Sequence, residues 1–92
     1  MDRASLRKKI DKVDAKLVEL FAKRMARAGE IAKVKKAGGI PVLDSAREEQ
    51  TLEEVAALSP DEYKEYTKRL YRTLFEVSRD YQNRLINGEE NT

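Results

Sequence analysis

The sequence predicts an all-α fold of three helices in the order long, short, long, and three observations support this. The segment from Leu6 to Lys36 contains no Pro and a single Gly, Gly29. Apolar residues recur along it at steps of four and three, and a second long segment near the C-terminus shows the same spacing. No segment shows the alternation typical of a strand. We therefore expect residues 1–92 to form one helical domain.

The first helix is predicted over Leu6–Lys36, with Ser5 as its N-cap and Gly38 or Gly39 at its C-terminal end. At ~1.5 Å per residue it would be ~45 Å long, whereas a compact chain of this size has a diameter of only ~30 Å. A second copy of the chain is the simplest way to cover the excess, so we expect a dimer. The apolar positions of the seam are Leu6, Ile10, Val13, Leu17, Leu20, Ile31 and Val34.

The second helix is predicted to begin near Asp44-Ser45, because Ser45 and Glu48 have the spacing of a capping box, and to end near Leu58. Pro41 excludes helix from the connection before it.

The third helix is predicted to begin at Ser59-Pro60, where Pro stands at the first helical position and Glu62 follows. Its apolar face continues to Leu85, and the helix is expected to end at Asn87-Gly88.

The composition excludes several kinds of chemistry. The chain has no Cys and no His, so it offers no thiol nucleophile and no imidazole base, and we expect neither a metal nor a cofactor. The net charge is only +2 and the two signs are interspersed, so we expect no nucleic-acid or membrane partner. Because the N-terminus is charged and no long apolar run follows, we expect a cytoplasmic protein.

Two cations of the first helix point to a ligand. Arg24 stands on the apolar seam, and Lys35 follows eleven residues later, ~16 Å along the axis on nearly the same face. Together they could bracket a small anion. The alternatives for Arg24 are an ion pair with another helix or a side chain that reaches solvent. Arg27 lies on the same seam, and for it we favour a structural ion pair.

Arg7 lies seventeen residues before Arg24, ~25 Å away, so the two cannot serve one site from the same chain. In an antiparallel pair of long helices Arg7 could reach the partner's site, but taken alone it is best interpreted as a solvated arginine. Other polar residues that could contribute to a site are Asp44, Arg47 and Glu48 on the second helix and Ser78 and Gln82, four residues apart, on the third.

Taken together, these features resemble the all-helical class of chorismate mutase over essentially the whole chain. The matching residues are Leu6-Arg7-Lys8-Lys9-Ile10-Asp11, Val13-Asp14, Arg24, Lys35, Pro41-Val42-Leu43-Asp44, Arg47-Glu48, Glu76-Val77-Ser78 and Gln82. Two features depart from the family pattern: Arg27 occupies a position that is usually apolar, and the stretch between the second and third helices is shorter. Neither coincides with a matched site residue.

The resemblance implies an intertwined homodimer with two equivalent sites, each completed by an arginine from the other chain. It implies that Arg24 and the partner subunit's Arg7 hold the carboxylates of the substrate, the chorismate dianion. Lys35 would contact a carboxylate and the ether oxygen, and Gln82 would face the same oxygen.

The remaining matched residues have implied roles as well. Asp44 and Glu48 would meet the ring hydroxyl, Arg47 would support the site, and Ser78 would touch a carboxylate. The implied reaction, chorismate to prephenate in the biosynthesis of Phe and Tyr, breaks one C–O bond and forms one C–C bond without proton transfer. It therefore needs neither His nor Cys.

Two other functions remain open on the sequence alone. An isochorismate pyruvate lyase would use a similar cationic pocket on the same fold. A non-catalytic helical dimerisation module would use the seam arginines in interhelical ion pairs. A nucleic-acid binder, suggested by Arg3, Arg7, Lys8, Lys9 and Lys12, is disfavoured because acidic residues interrupt the cluster and no aromatic platform accompanies it.

Overall fold

The computed structural model of the chain describes residues 2–88 and contains three α-helices in the predicted order, which confirms the all-α fold. The first, α1, spans Arg3–Gly38, and the second, α2, spans Ser45–Leu58. A 3₁₀ turn at Asp61–Tyr63 leads into the third, α3, at Lys64–Ile86.

Helix α1 begins earlier than predicted because Asp2, and not Ser5, is its N-cap. The Asp2 carboxylate accepts a hydrogen bond from the backbone N–H of Ser5 at 2.7 Å, which satisfies one of the unpaired donors of the first turn. At the other end Gly39 has φ 63°, and its N–H donates to the carbonyl oxygen of Lys36. The predicted glycine termination is therefore confirmed, with Gly39 in the left-handed position.

The predicted caps of the second and third helices are wrong. Asp44, and not Ser45, caps α2, because its carboxylate accepts from the backbone N–H of Arg47 at 3.0 Å. Ser59 does not start α3. Its hydroxyl donates to the carbonyl oxygen of Val55 at 2.8 Å, so its side chain belongs to the end of α2, and α3 starts only at Lys64.

Within residues 2–88, α3 packs against both other helices, whereas α1 and α2 do not pack against each other. The contact face of α1 lies in its second half and consists of small residues, Ala28, Gly29 and Ala32. A Cβ atom at Gly29 would lie 3.5 Å from the Tyr81 ring, so α1 and α3 approach closely there. The buried residues of the other helices are Leu52, Ala56, Phe75, Ser78 and Gln82.

The first half of α1 extends away from the other helices. Its seam residues from Leu6 to Leu20 are between 43% and 57% exposed. The described chain measures 54 × 34 × 14 Å with a radius of gyration of 16.3 Å, compared with ~12 Å for a compact chain of this length. The predicted excess length of the first helix is thus confirmed. None of the described helices combines the length and apolar character needed to cross a membrane.

Candidate active site

A cavity of about 310 Å³ lies where the second half of α1, the start of α2 and the second half of α3 meet. This volume is within the range of small-molecule sites. The lining residues are Arg24, Arg27, Ala28, Ile31, Lys35, Val42, Asp44, Arg47, Glu48, Thr51, Phe75, Ser78, Arg79 and Gln82.

The fold brings seven of the eight sequence-predicted site residues to this cavity. They are Arg24, Lys35, Asp44, Arg47, Glu48, Ser78 and Gln82. The eighth, Arg7, does not line it. Arg7 lies on the exposed half of α1, where its guanidinium is 3.8 Å from the carboxylate of Asp11. The geometry thus agrees with the expectation that Arg7 cannot reach the site of its own chain.

The Arg24 guanidinium lies over two aromatic rings of α3. Its central carbon is 5.6 Å from the centroid of Tyr71 and 5.8 Å from that of Phe75, which are cation–π distances. Arg24 forms no ion pair within the described part of the chain. The rings hold the guanidinium at the cavity without neutralising it, so its charge remains available to an anion.

Arg27 also lines the cavity, but it already has an acidic partner. One of its terminal nitrogens donates to both carboxylate oxygens of Glu30 at 2.8 Å. The expected structural pair is confirmed, and it lies within α1. The hydrogen bond and charge of Glu30 raise the pKa of the Arg27 guanidinium.

Lys35 and Asp44 both bind backbone groups at the rim of the cavity. The Lys35 ammonium donates to the carbonyl oxygen of Val42 at 2.8 Å, which ties the connection after α1 to that helix. The Asp44 carboxylate caps α2 through Arg47. Each retains capacity for a ligand, because an ammonium has three donors and a carboxylate has about four acceptor positions.

Glu48 of α2 pairs with Arg79 of α3 through its Oε2 atom. Arg79 is a lining residue that the sequence prediction missed. The available signal was positional: Arg79 stands four residues after Phe75 and three before Gln82, so it borders the face of α3 that carries both.

Ser78 and Gln82 are the buried polar side chains of the described chain, each 7% exposed. The Gln82 amide nitrogen Nε2 donates to the Ser78 hydroxyl at 3.0 Å. The Gln82 oxygen Oε1 is buried and has no hydrogen-bond partner within residues 2–88. A buried polar atom without a partner is costly, so this carboxamide is poised for a ligand.

The cavity is electropositive. Five cationic side chains line it against two carboxylates, which gives a formal charge of +3. No cluster of residues suited to a metal ion was found within residues 2–88. The chemistry that this arrangement permits is the binding of a small polyanion by arginine and lysine, with buried amide and hydroxyl groups at its side.

Comparison with known proteins identifies the family. A family model described as chorismate mutase type II matches residues 6–83. A chorismate mutase from Methanocaldococcus jannaschii is 38% identical over 55 residues, which cover 60% of this chain and 56% of that protein. A T-protein from Haemophilus influenzae is 30% identical over 90 residues, which cover 91% of this chain and 24% of that protein. The chain thus spans about half of the first relative and a quarter of the second. No solved structure matches it significantly.

Proposed function

Because this chain belongs to the chorismate mutase type II family, we propose that it converts chorismate to prephenate. The observation that carries the proposal is the convergence of seven residues from three helices on one electropositive cavity. Chorismate is a dianion, and a cavity with a formal charge of +3 suits it. The reaction needs no proton transfer, so a site without His or Cys is sufficient.

The first task of such a site is to hold the flexible dianion in its reactive conformer. We assign this task to Arg24 and to the partner subunit's Arg7, because guanidinium groups bind carboxylates through two parallel hydrogen bonds. Support for Arg24 comes from its position over the rings of Tyr71 and Phe75, which restricts the guanidinium and leaves its charge unpaired.

The second task is to stabilise the negative charge that develops on the ether oxygen as the C–O bond breaks. We assign it to the Lys35 ammonium and the Gln82 carboxamide. Support comes from the location of both at the cavity and from the burial of Gln82, since a hydrogen bond to a developing charge is stronger in a buried site than in water.

The remaining polar residues orient the substrate ring in this proposal. Asp44 and Glu48 accept a hydrogen bond from the ring hydroxyl, Ser78 contacts a carboxylate, and Arg47 supports the pocket. Support comes from the fact that all four line the cavity.

We further propose that the active unit is an intertwined homodimer in which each Arg7 completes the partner's site. Support comes from the first half of α1, whose apolar seam is exposed on a chain far less compact than its length allows. Large exposed apolar surfaces on a soluble chain favour association. Sedimentation at micromolar concentration is the test: a folded, cooperatively melting monomer of 10.6 kDa would contradict this proposal.

The activity itself is tested by mixing the chain with chorismate and following loss of the diene absorbance together with appearance of prephenate. Turnover to prephenate supports the proposal. Isochorismate is tested in parallel with a pyruvate assay, because pyruvate release with no prephenate would assign the cavity to a lyase. Binding of neither substrate, judged by the absence of a thermal shift, would leave a helical dimerisation module.

A further inference from the structure

The Arg79–Glu48 ion pair forms part of the wall of the candidate active site. It links residues that are 31 positions apart and connects α2 to α3. Its side chains are 29% and 25% exposed, and Glu48 is the least exposed acid in any ion pair of residues 2–88. Both residues also line a neighbouring cavity of about 280 Å³, so the pair borders both spaces.

The pair leaves one oxygen of Glu48 available. Arg79 binds Oε2, and no hydrogen bond within the described chain engages Oε1. A carboxylate held through one oxygen has a fixed direction for its other lone pairs. Glu48 can then accept a hydrogen bond from a ligand hydroxyl without first choosing among rotamers.

The pair also neutralises the charge of Glu48 in a cavity that would bind a dianion. An unpaired carboxylate in the wall would repel a substrate carboxylate, and partial burial weakens the screening of that repulsion. Arg79 is the cation that pairs with Glu48, whereas Arg27 is engaged by Glu30 and Arg24 lies against aromatic rings. Arg24 and Lys35 are therefore not needed to compensate Glu48 and can act on the ligand.

We propose that Arg79 is a positioning residue for substrate binding: it fixes the Glu48 carboxylate as a hydroxyl acceptor and neutralises its charge. This inference rests on the proposed function. Arg79 acts through Glu48 and does not contact the reacting atoms, so its loss should weaken binding of the substrate and leave the rearrangement step nearly intact.

The test compares Arg79→Met with the parent by steady-state kinetics on chorismate. We expect KM to rise about 10- to 100-fold, as is typical when a partly buried charge loses its partner, and kcat to stay within about threefold. Arg79→Lys, which keeps the charge, should hold KM within a few-fold of the parent. Arg72→Met is the matched control. Arg72 lies two turns earlier on α3 and is exposed, and it lines the neighbouring cavity but not the candidate active site.

The same substitution in a Glu48→Gln background separates positioning from direct contact. With the acid removed, Arg79 has no charge to compensate, so Arg79→Met should then change KM less than about threefold, a non-additive result. An equal KM rise in both backgrounds would show direct contact with substrate and overturn the inference. So would a variant whose melting temperature falls while its KM stays at the parent's value.

The two proposals fail in different ways. A parent chain that does not convert chorismate overturns the proposed function and, with it, this inference. A parent that is active, with an Arg79→Met KM equal to its own, overturns this inference alone.

Discussion

The Nε2 atom of Gln82 lies 3.0 Å from the hydroxyl oxygen of Ser78, one helical turn earlier, and this bond leaves Oε1 buried without a partner. Rotation of the carboxamide by a half turn exchanges its two ends at little torsional cost. Nε2 then becomes free to donate to a ligand, and the single proton of the Ser78 hydroxyl can be donated either to Oε1 or to a substrate carboxylate. Ser78 can hold either arrangement, so a substrate oxygen that becomes negative would select the second.

Gln82→Glu tests whether this carboxamide faces the reacting oxygen. An ionised carboxylate would oppose the developing negative charge, whereas the protonated acid can donate a hydrogen bond as the amide did. Burial beside a bound dianion should raise the pKa of the introduced carboxyl above its usual ~4.3. We therefore expect kcat/KM to be poor near pH 7.5 and to rise as the pH falls through that pKa.

The control is the parent chain, which should show no matching rise toward acid pH. Equal pH profiles of variant and parent over pH 5–8 would mean that Gln82 does not face the ether oxygen.

Lys35→Ala should lower kcat by at least ~10²–10³, the usual cost of removing one preorganised donor to a developing oxyanion. The substitution also removes the hydrogen bond to the carbonyl oxygen of Val42, so circular dichroism must first show that the variant is folded. Lys36→Ala is the matched control, because Lys36 lies in the same last turn but does not line the cavity. Loss of activity in both variants to the same extent would exclude a specific role for Lys35.

Arg7→Ala and Arg24→Ala should each be nearly inactive, yet chains of the two variants mixed and refolded should regain activity. In the mixed dimer one site keeps its own Arg24 and receives an intact Arg7, while the other site lacks both. Random pairing makes about half of the dimers mixed, so we expect roughly a quarter of the parent activity.

Each variant refolded alone under the same conditions is the control. Mixed chains that stay as inactive as either parent variant would show that Arg7 does not act across the dimer.

Gly29→Ala should stabilise the chain. Its Cβ would meet Tyr81 and Leu85 at 3.5 and 3.6 Å, an ordinary contact, while Ala gains ~1 kcal/mol of helix propensity over Gly. The melting temperature should rise by roughly 4–8 °C at fixed concentration. Gly39→Ala is the opposing control: nothing lies near its Cβ, but φ is positive, so it should lower the melting temperature.

The order of the helices could be predicted from the sequence. Because α3 packs against both other helices, each helix needs an apolar face, and that face appears in the sequence as a helical spacing of apolar residues. The prediction placed the start of α2 correctly but chose the wrong N-cap for α1 and α2, because Asp and Ser are both good caps. At the start of α1 and again at that of α2, an aspartate that precedes the predicted serine takes the capping role. Local spacing does not rank such competing caps.

Some features of the candidate site could also be predicted from the sequence, and others could not. The spacing of Arg24 and Lys35 placed both on one face of a single helix, and that could be predicted from helical geometry. The aromatic support of Arg24 by Tyr71 and the pairing of Arg79 with Glu48 join different helices. Such contacts depend on how two helices cross, and periodicity within either helix carries no information about that.

Helix α1 is continuous from Arg3 to Gly38, so it fixes the distance between Arg7 and the site around Arg24. If Arg7 serves the partner while Arg24 serves its own chain, their offset of seventeen positions sets both the distance between them and their relative direction about the helix axis. One inserted residue would turn Arg7 by ~100° about the axis, and seven would restore its direction but displace it by ~10 Å. Length variation in this stretch should therefore be far less tolerated than substitution at its exposed positions.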